Sequence, residues 1–204
     1  MHPVAVLFVR ADSIYKTLEG VDCYDAERNA LTWQGGCPVV AHPPCRLWSS
    51  MAHFSSAPPE EKALGPWAIK QVRQWGGVLE HPASSKLFKH CDCPRPGKRR
   101  DAYGGWTFAV DQHWWGHRAQ KKTLLYICGC EPLNIPAWPL VLSEAGYGMH
   151  GPTTNQPCRK PEIKHWEREA TPPAFALWLV ELARRCEKHN AAMRLEEGAK
   201  ADDE

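Results

Sequence analysis

The sequence predicts an α/β domain: a mostly parallel sheet flanked by helices. Three observations carry this. Short apolar runs of strand length recur along the chain, they alternate with helix-like segments, and strand–helix–strand order favours parallel pairing under a cover of helices. At 204 residues, 43% hydrophobic and 24% charged, the chain suits one domain with a real core.

The elements follow in order. "VAVLFV" (4–9) is a short apolar run and reads as a buried strand. "GVDCYD" (20–25) is a second strand, ending in Asp25, and "AERNALTW" after it starts like a helix. "PVVAH" (38–42) is a third strand. In "PWAIKQVRQW" (66–75) proline stands at the first helical position, and Trp67, Ala68, Ile69, Val72 and Trp75 share one side. "GGVLEHP" (76–82) is a fourth strand closed by proline. "GWTFAVDQHWWG" (105–116) and "TLLYICG" (123–129) read as two more strands, with a hairpin as one arrangement. A long helix is expected over 171–198, with Thr171 as cap, prolines in the first turn and basic residues towards its end. One domain spans 1–190, with a short loop region near 130–170 and a frayed acidic tail at 191–204.

Charge and cysteine content narrow the function classes. The net charge is +2, but residues 194–204 carry two basic and five acidic residues, so the body is more basic than the total suggests. That permits a polyanionic partner without demanding one. The nine cysteines are odd in number and irregular in spacing. The N-terminal "MHPVAVLFVR" lacks the basic start and the apolar length of a signal peptide, and no stretch reaches the roughly 20 apolar residues of a membrane span. The expectation is a cytoplasmic protein with reduced thiols and no membrane partner.

The chemistry gathers at expected strand ends, where open α/β sheets bind ligands. "VVAHPPCRLWSS" (39–50) ends a buried strand on a rigid proline elbow that presents Cys45 and Arg46. The next strand ends in "EHP" (80–82), which places Glu80 beside it. A thiol nucleophile and a carboxyl proton donor facing one pocket suit attack on an unsaturated, protonatable ring. The ordinary alternatives are a buried, inert cysteine and a Glu80 paired with Arg46 or Arg73. "HCDC" (90–93), "CGC" (128–130), Cys158 and His165 offer metal ligands, yet Cys91, Cys93, Cys128 and Cys130 lack the usual C-x₂-C spacing, and no metal is expected. A nucleic-acid-binding module without turnover is a third class. Trp67, Trp75 and Trp178 read as core, while Trp114 or Trp115 could stack on a base.

Taken together, these residues resemble the DNA cytosine-C5 methyltransferases. That family carries a Pro-Pro-Cys loop after one strand and a Glu-Asn-Val loop after the next, matched here by "HPPC" (42–45) and "EHP" (80–82). "WWGHRAQKKTLLYICG" (114–129) is similar to its aromatic-glycine, glutamine and basic segment, and "ATPPAFALWLVELA" (170–183) to its closing helix. The order holds over roughly residues 1–185.

The resemblance implies a Rossmann-like, methyltransferase-type fold. It implies Cys45 as nucleophile on C6 of a pyrimidine, Glu80 as donor to ring N3, protonated or sharing a proton, and Arg46 as support for the thiolate. It implies S-adenosylmethionine as methyl donor, with Asp25 on the ribose and Pro43 as a further cofactor contact. Arg118, Gln120, Lys121 and Lys122 would hold nucleic acid, the partner being DNA or a pyrimidine nucleotide. Two departures stand out. The turn after the first strand reads Arg10-Ala11-Asp12 where the family has glycines, and only about 40 residues separate Gly129 from Thr171, too few for a full target-reading region. The chain thus resembles a compact relative of the kind associated with phage or prophage genomes.

Overall fold

The structure is a computed structural model, and it describes residues 3–49, 52–139, 141–149 and 160–186. Its centre is a six-stranded sheet: β1 (Val4–Leu7), β2 (Val21–Tyr24), β3 (Val39–Ala41), β4 (Gly77–Pro82), β5 (Trp106–Asp111) and β6 (Lys122–Cys128), in the spatial order β2-β1-β3-β4-β6-β5. β1 pairs in parallel with β2 and β3, and β3 with β4. β6 runs antiparallel to both β4 and β5. The α/β class is as the sequence implies. The sheet is mixed, however, and the expectation of a mostly parallel one is corrected: β5 and β6 return on each other through the 112–121 connection, too short for a helical crossover.

The apolar runs are strands because both sheet faces are covered. Val4, Val6, Val40 and Val78 face helix α4 (Pro173–Arg184), where Phe175, Trp178 and Leu179 complete a core with Trp115. Ala5, Leu7, Val39 and Leu79 alternate onto the other face, against Ile69 and Val72 of helix α1 (Leu64–Trp75). Two short helices, α2 (Leu87–His90) and α3 (His165–Glu169), are the other α-helices among the described residues. Trp115 packs 4.8 Å from Phe175 and 5.1 Å from Trp178, centroid to centroid, so it is a core residue and not a stacking platform. Trp114 leans on the same cluster.

Several boundaries differ from expectation, each for a local reason. The first strand ends at Leu7, because Phe8 turns the chain at φ +63°. "AERNALTW" forms no α-helix. Asp25 accepts the amides of Glu27 and Arg28, and Asn29 that of Leu31, leaving only a 3₁₀ turn at Ala30–Thr32; short polar side chains compete here with helical hydrogen bonds. β5 stops at Asp111, whose side chain accepts the amide of His113 and starts a 3₁₀ turn, Gln112–Trp115. α4 begins at Pro173 with Pro172, not Thr171, at its cap, and ends at Arg184. The remainder of the expected 171–198 helix from 187 onward, and the 191–204 tail, lie outside the described residues. No helix among the described residues is long and apolar enough to cross a membrane.

Candidate active site

The chain leaves β1 for β2 on one side and returns to β3 on the other. At such a reversal the loops part, and a crevice opens beyond the carboxyl ends of the strands. A cleft of about 880 Å³ lies there. Its walls are the turn after β1 (Arg10, Asp12), the elbow 42–46, the end of β4 (Glu80, His81), Lys121 with Lys122 at the start of β6, and Trp166 with residues 168–171. The structure therefore brings together Pro43, Cys45, Arg46, Glu80, Lys121 and Lys122 from the expected set.

The elbow is pinned at both ends. The His42 amide donates to Leu7 O at 3.1 Å, and the Trp48 amide donates to Cys45 O at 2.9 Å. Between them Pro43 and Pro44 fix the backbone. Cys45 ends up exposed at the head of a 3₁₀ turn, Arg46–Trp48. Desolvation raises the Cys45 thiol above its ordinary value and the Glu80 charge adds to this, while Lys121 draws it down. The 3₁₀ turn is too short to lend a helix dipole.

Glu80 is the centre of a buried polar network. His42 Nδ1–H donates to its Oε2 at 3.0 Å, and Gln112 Nε2 donates to its Oε1 at 3.0 Å. The second nitrogen of His42 meets the Tyr15 hydroxyl at 2.9 Å, and Gln112 also donates to Thr123 Oγ1 at 3.1 Å. Burial alone would raise the Glu80 carboxyl, but the His42 hydrogen bond and the charges of His42 and Lys121 outweigh it and hold it down to about 2. The carboxyl is thus ionised, and the proton available to it sits on His42. His81, 1% exposed, makes no side-chain hydrogen bond of good geometry, and burial pushes its imidazole down to about 4.

Other expected site residues lie elsewhere or are occupied. Arg46 reaches the cleft rim, but its guanidinium forks onto Glu61 through Nε, at 2.7 Å, and Nη2. Its charge still acts on the neighbouring Cys45, but from within this ion pair, and Lys121 is the cation that draws the thiol down. Arg73 is not the partner of Glu80 either; it pairs with Asp101 and Tyr126 on the opposite face. Asp25 does not line the cleft. It sits in a separate shallow depression, where Lys16 Nζ donates to it at 2.5 Å. Arg118 is bound to Glu167 at 2.9 and 3.1 Å and lies over the Tyr147 ring, and Gln120 is exposed away from the cleft. Lys121, read as a phosphate contact, turns inward and donates to Ala170 O at 3.2 Å. Among the described residues no three or more His, Cys, Asp or Glu side chains are placed to hold a metal ion; Cys158 lies outside them.

Sequence reasoning missed His42, Tyr15, Gln112, His81 and Trp166. His42 had a signal, since a polar side chain ending a buried strand beside the elbow must meet either solvent or a partner. Tyr15 and Gln112 had none; only the tertiary fold brings them to Glu80. Trp166, 59% exposed, stands on the cleft rim where an aromatic face is available for stacking.

Replacing Lys121 with methionine should slow alkylation of Cys45 by iodoacetamide at pH 8 about 3- to 10-fold, because a cation that favours the thiolate is gone. Mass spectrometry of the Cys45 peptide across pH should show the reactivity midpoint moving upward. An unmoved midpoint would mean that the two groups are uncoupled.

No protein-family model matches the chain, and no curated protein matches it in sequence.

Proposed function

We propose that the chain is a pyrimidine-modifying enzyme that works through a covalent Cys45 adduct, similar in mechanism to the DNA cytosine-C5 methyltransferases. The observation that carries this is the convergence, in one cleft at the carboxyl ends of adjacent strands, of an exposed thiol, a half-buried carboxylate hydrogen-bonded to a histidine, and a half-buried lysine. A ring seated between Cys45 and Glu80 would be attacked at C6 by the Cys45 sulfur. The C5=C6 pair shifts towards C4, the C4=N3 pair moves onto N3, and N3 takes a proton from the Glu80 side. C5 becomes nucleophilic, accepts an electrophile, loses its proton, and the sulfur leaves. The one reversed strand within an otherwise co-directional sheet, with the cleft at the β1/β3 switch, is compatible with the Rossmann-like, methyltransferase-type arrangement.

S-adenosylmethionine is the donor that the resemblance suggests, and the residues present do not fit it. The turn after β1 carries Arg10, held by Asp12 at 2.9 Å and by Glu169 at 3.4 Å, where close backbone approach would need glycine. The Asp25 carboxylate is taken by Lys16 and by two backbone amides. The substrate is DNA or a pyrimidine nucleotide, with Trp166 and Lys122 at the rim as contacts. The mechanism needs a free Cys45 thiol, which suits a reducing compartment, the cytoplasm of its cell or, if phage-encoded, of the host.

The test needs no donor. Reversible addition at C6 lets the C5 hydrogen exchange with solvent, so single-stranded DNA and nucleotides deuterated at pyrimidine C5 should lose deuterium in the presence of the protein. Cys45→Ser should fold normally and exchange no faster than buffer. If the wild-type protein exchanges neither cytosine nor uracil in either form, the nucleophile assignment is wrong.

A further inference from the structure

We propose that His42 is a positioning residue that supplies the proton Glu80 delivers to ring N3, with Tyr15 holding it in place; this rests on the pyrimidine reading above. Glu80 is buried and takes hydrogen bonds on both oxygens, from His42 and Gln112. Acting alone, such a carboxylate is an acceptor and has no proton to give. His42 is the neighbour that can alter this, because its two ring nitrogens are both engaged within the network. Nδ1 lies 3.0 Å from Glu80 Oε2, and Nε2 lies 2.9 Å from Tyr15 Oη. The Tyr15 ring also lies against the imidazole, 5.3 Å between centroids. Tyr15 is itself 1% exposed and projects from the 3₁₀ turn Ile14–Thr17. The imidazole is thus fixed from both ends.

The proton accounting is simple. In the competent state His42 is an imidazolium, donating Nδ1–H to Glu80 and Nε2–H to the Tyr15 oxygen. As the Cys45 S–C6 bond forms, the Nδ1 proton passes to Glu80 and Glu80 passes a proton to N3. His42 is left neutral, keeping its Nε2–H on Tyr15, and Glu80 is again a carboxylate, now accepting the new N3–H. Elimination of the sulfur returns the proton by the same route.

The groups facing this pair are few and come from every element around it. Lys121, just before β6, acts on Glu80 by charge, as His81 on β4 does once acid protonates it; Tyr15 and Cys45 feel the Glu80 charge in return, and Gln112 donates to it. Arg10 and Glu169 act on Lys121, and Glu169 also acts on Cys45.

The test is the pH profile of C5 deuterium exchange. In the wild type, exchange should be bell-shaped in pH, because it needs the Cys45 thiolate and the shared proton together. His42→Asn keeps a donor to Glu80 but carries no mobile proton. At pH 7.5 it should exchange about 100-fold more slowly, the lower end of general-acid contributions. The deficit should shrink towards pH 5, because Glu80, buried and freed of the imidazolium charge, then takes a proton from solvent. Tyr15→Phe, with one hydrogen bond removed, should be slower by about tenfold and shifted in the same direction, and it carries the test if the histidine variant does not fold. Exchange by the wild type with the same pH profile in the variants would overturn the role of His42 and leave the function standing. Absence of exchange by the wild type at any pH would overturn both.

Discussion

Replacing Gly77 with alanine is expected to unfold the protein or to destabilise it by about 4 kcal/mol or more, a large share of a typical total. Gly77 opens β4 at φ +122°, where an L side chain is strained before any contact is considered. Its Cβ would lie 2.0 Å from Val39 O and 2.6 Å from Val39 N. Those are backbone atoms of the paired strand, so no rotamer change relieves the overlap. β3 is three residues long, and it cannot shift without breaking its ladders to β1 and β4. The same two strands carry Cys45 and Glu80 at their ends, so the clash and the chemistry share one register. Gly97→Ala is the control: φ is +74° and nothing lies within 4 Å, so the cost should be about 1–2 kcal/mol from backbone strain alone. Urea midpoints at matched slopes decide the matter. A Gly77→Ala loss no larger than that of Gly97→Ala would show that the two strands can separate freely at this point.

What the sequence made legible is what local pattern encodes. The six strands and α1 could be read because buried strands in a covered sheet are continuous apolar runs, and α1 has an apolar side. Cys45 and Glu80 were legible for a related reason: a polar group that ends such a run is conspicuous. The partners of charged side chains were not. Arg46 follows Cys45 in sequence but pairs with Glu61, fifteen residues on, and Lys121, within a basic run, turns into the cleft. Asp25 looked like a ligand-binding carboxylate because it ends a strand, yet local turn chemistry and Lys16 consume it. Glu80 shows the same limit. Its environment comes from residues 38 positions before it and 32 after it, and no periodicity links such distances. The reversal of β6 was likewise open in the sequence, since alternating elements do not state their directions.

Acid should destabilise the protein in two stages that the His81 and Glu80 pair imposes. His81 is buried and its imidazole is held down to about 4, first by burial, against an ordinary value near 6.5. Between those values the unfolded chain binds a proton that the folded one refuses. Stability is therefore full above pH 6.5 and falls as pH drops towards 4, by about 3 kcal/mol at 1.36 kcal/mol per unit. Glu80 acts next. Its carboxyl is held down to about 2, the His42 hydrogen bond and charge outweighing burial, against an ordinary 4.5. A depressed carboxylate stabilises above its unfolded value, so this contribution is present above pH 4.5 and is lost as pH falls towards 2, again on the order of 3 kcal/mol. Asp25 shifts in the same direction, so the wild-type slope below pH 4.5 is not due to Glu80 alone, and the variants must separate them. His81→Leu should flatten the dependence of the urea midpoint between pH 6.5 and 4 and should only reduce the lower stage, because the His42 hydrogen bond and charge remain on Glu80. Glu80→Gln should do the reverse. If His81→Leu keeps the wild-type slope from pH 6.5 to 4, the imidazole is already protonated in the folded protein, and the cleft holds a cation beneath the Pro43–Pro44 elbow rather than a neutral ring.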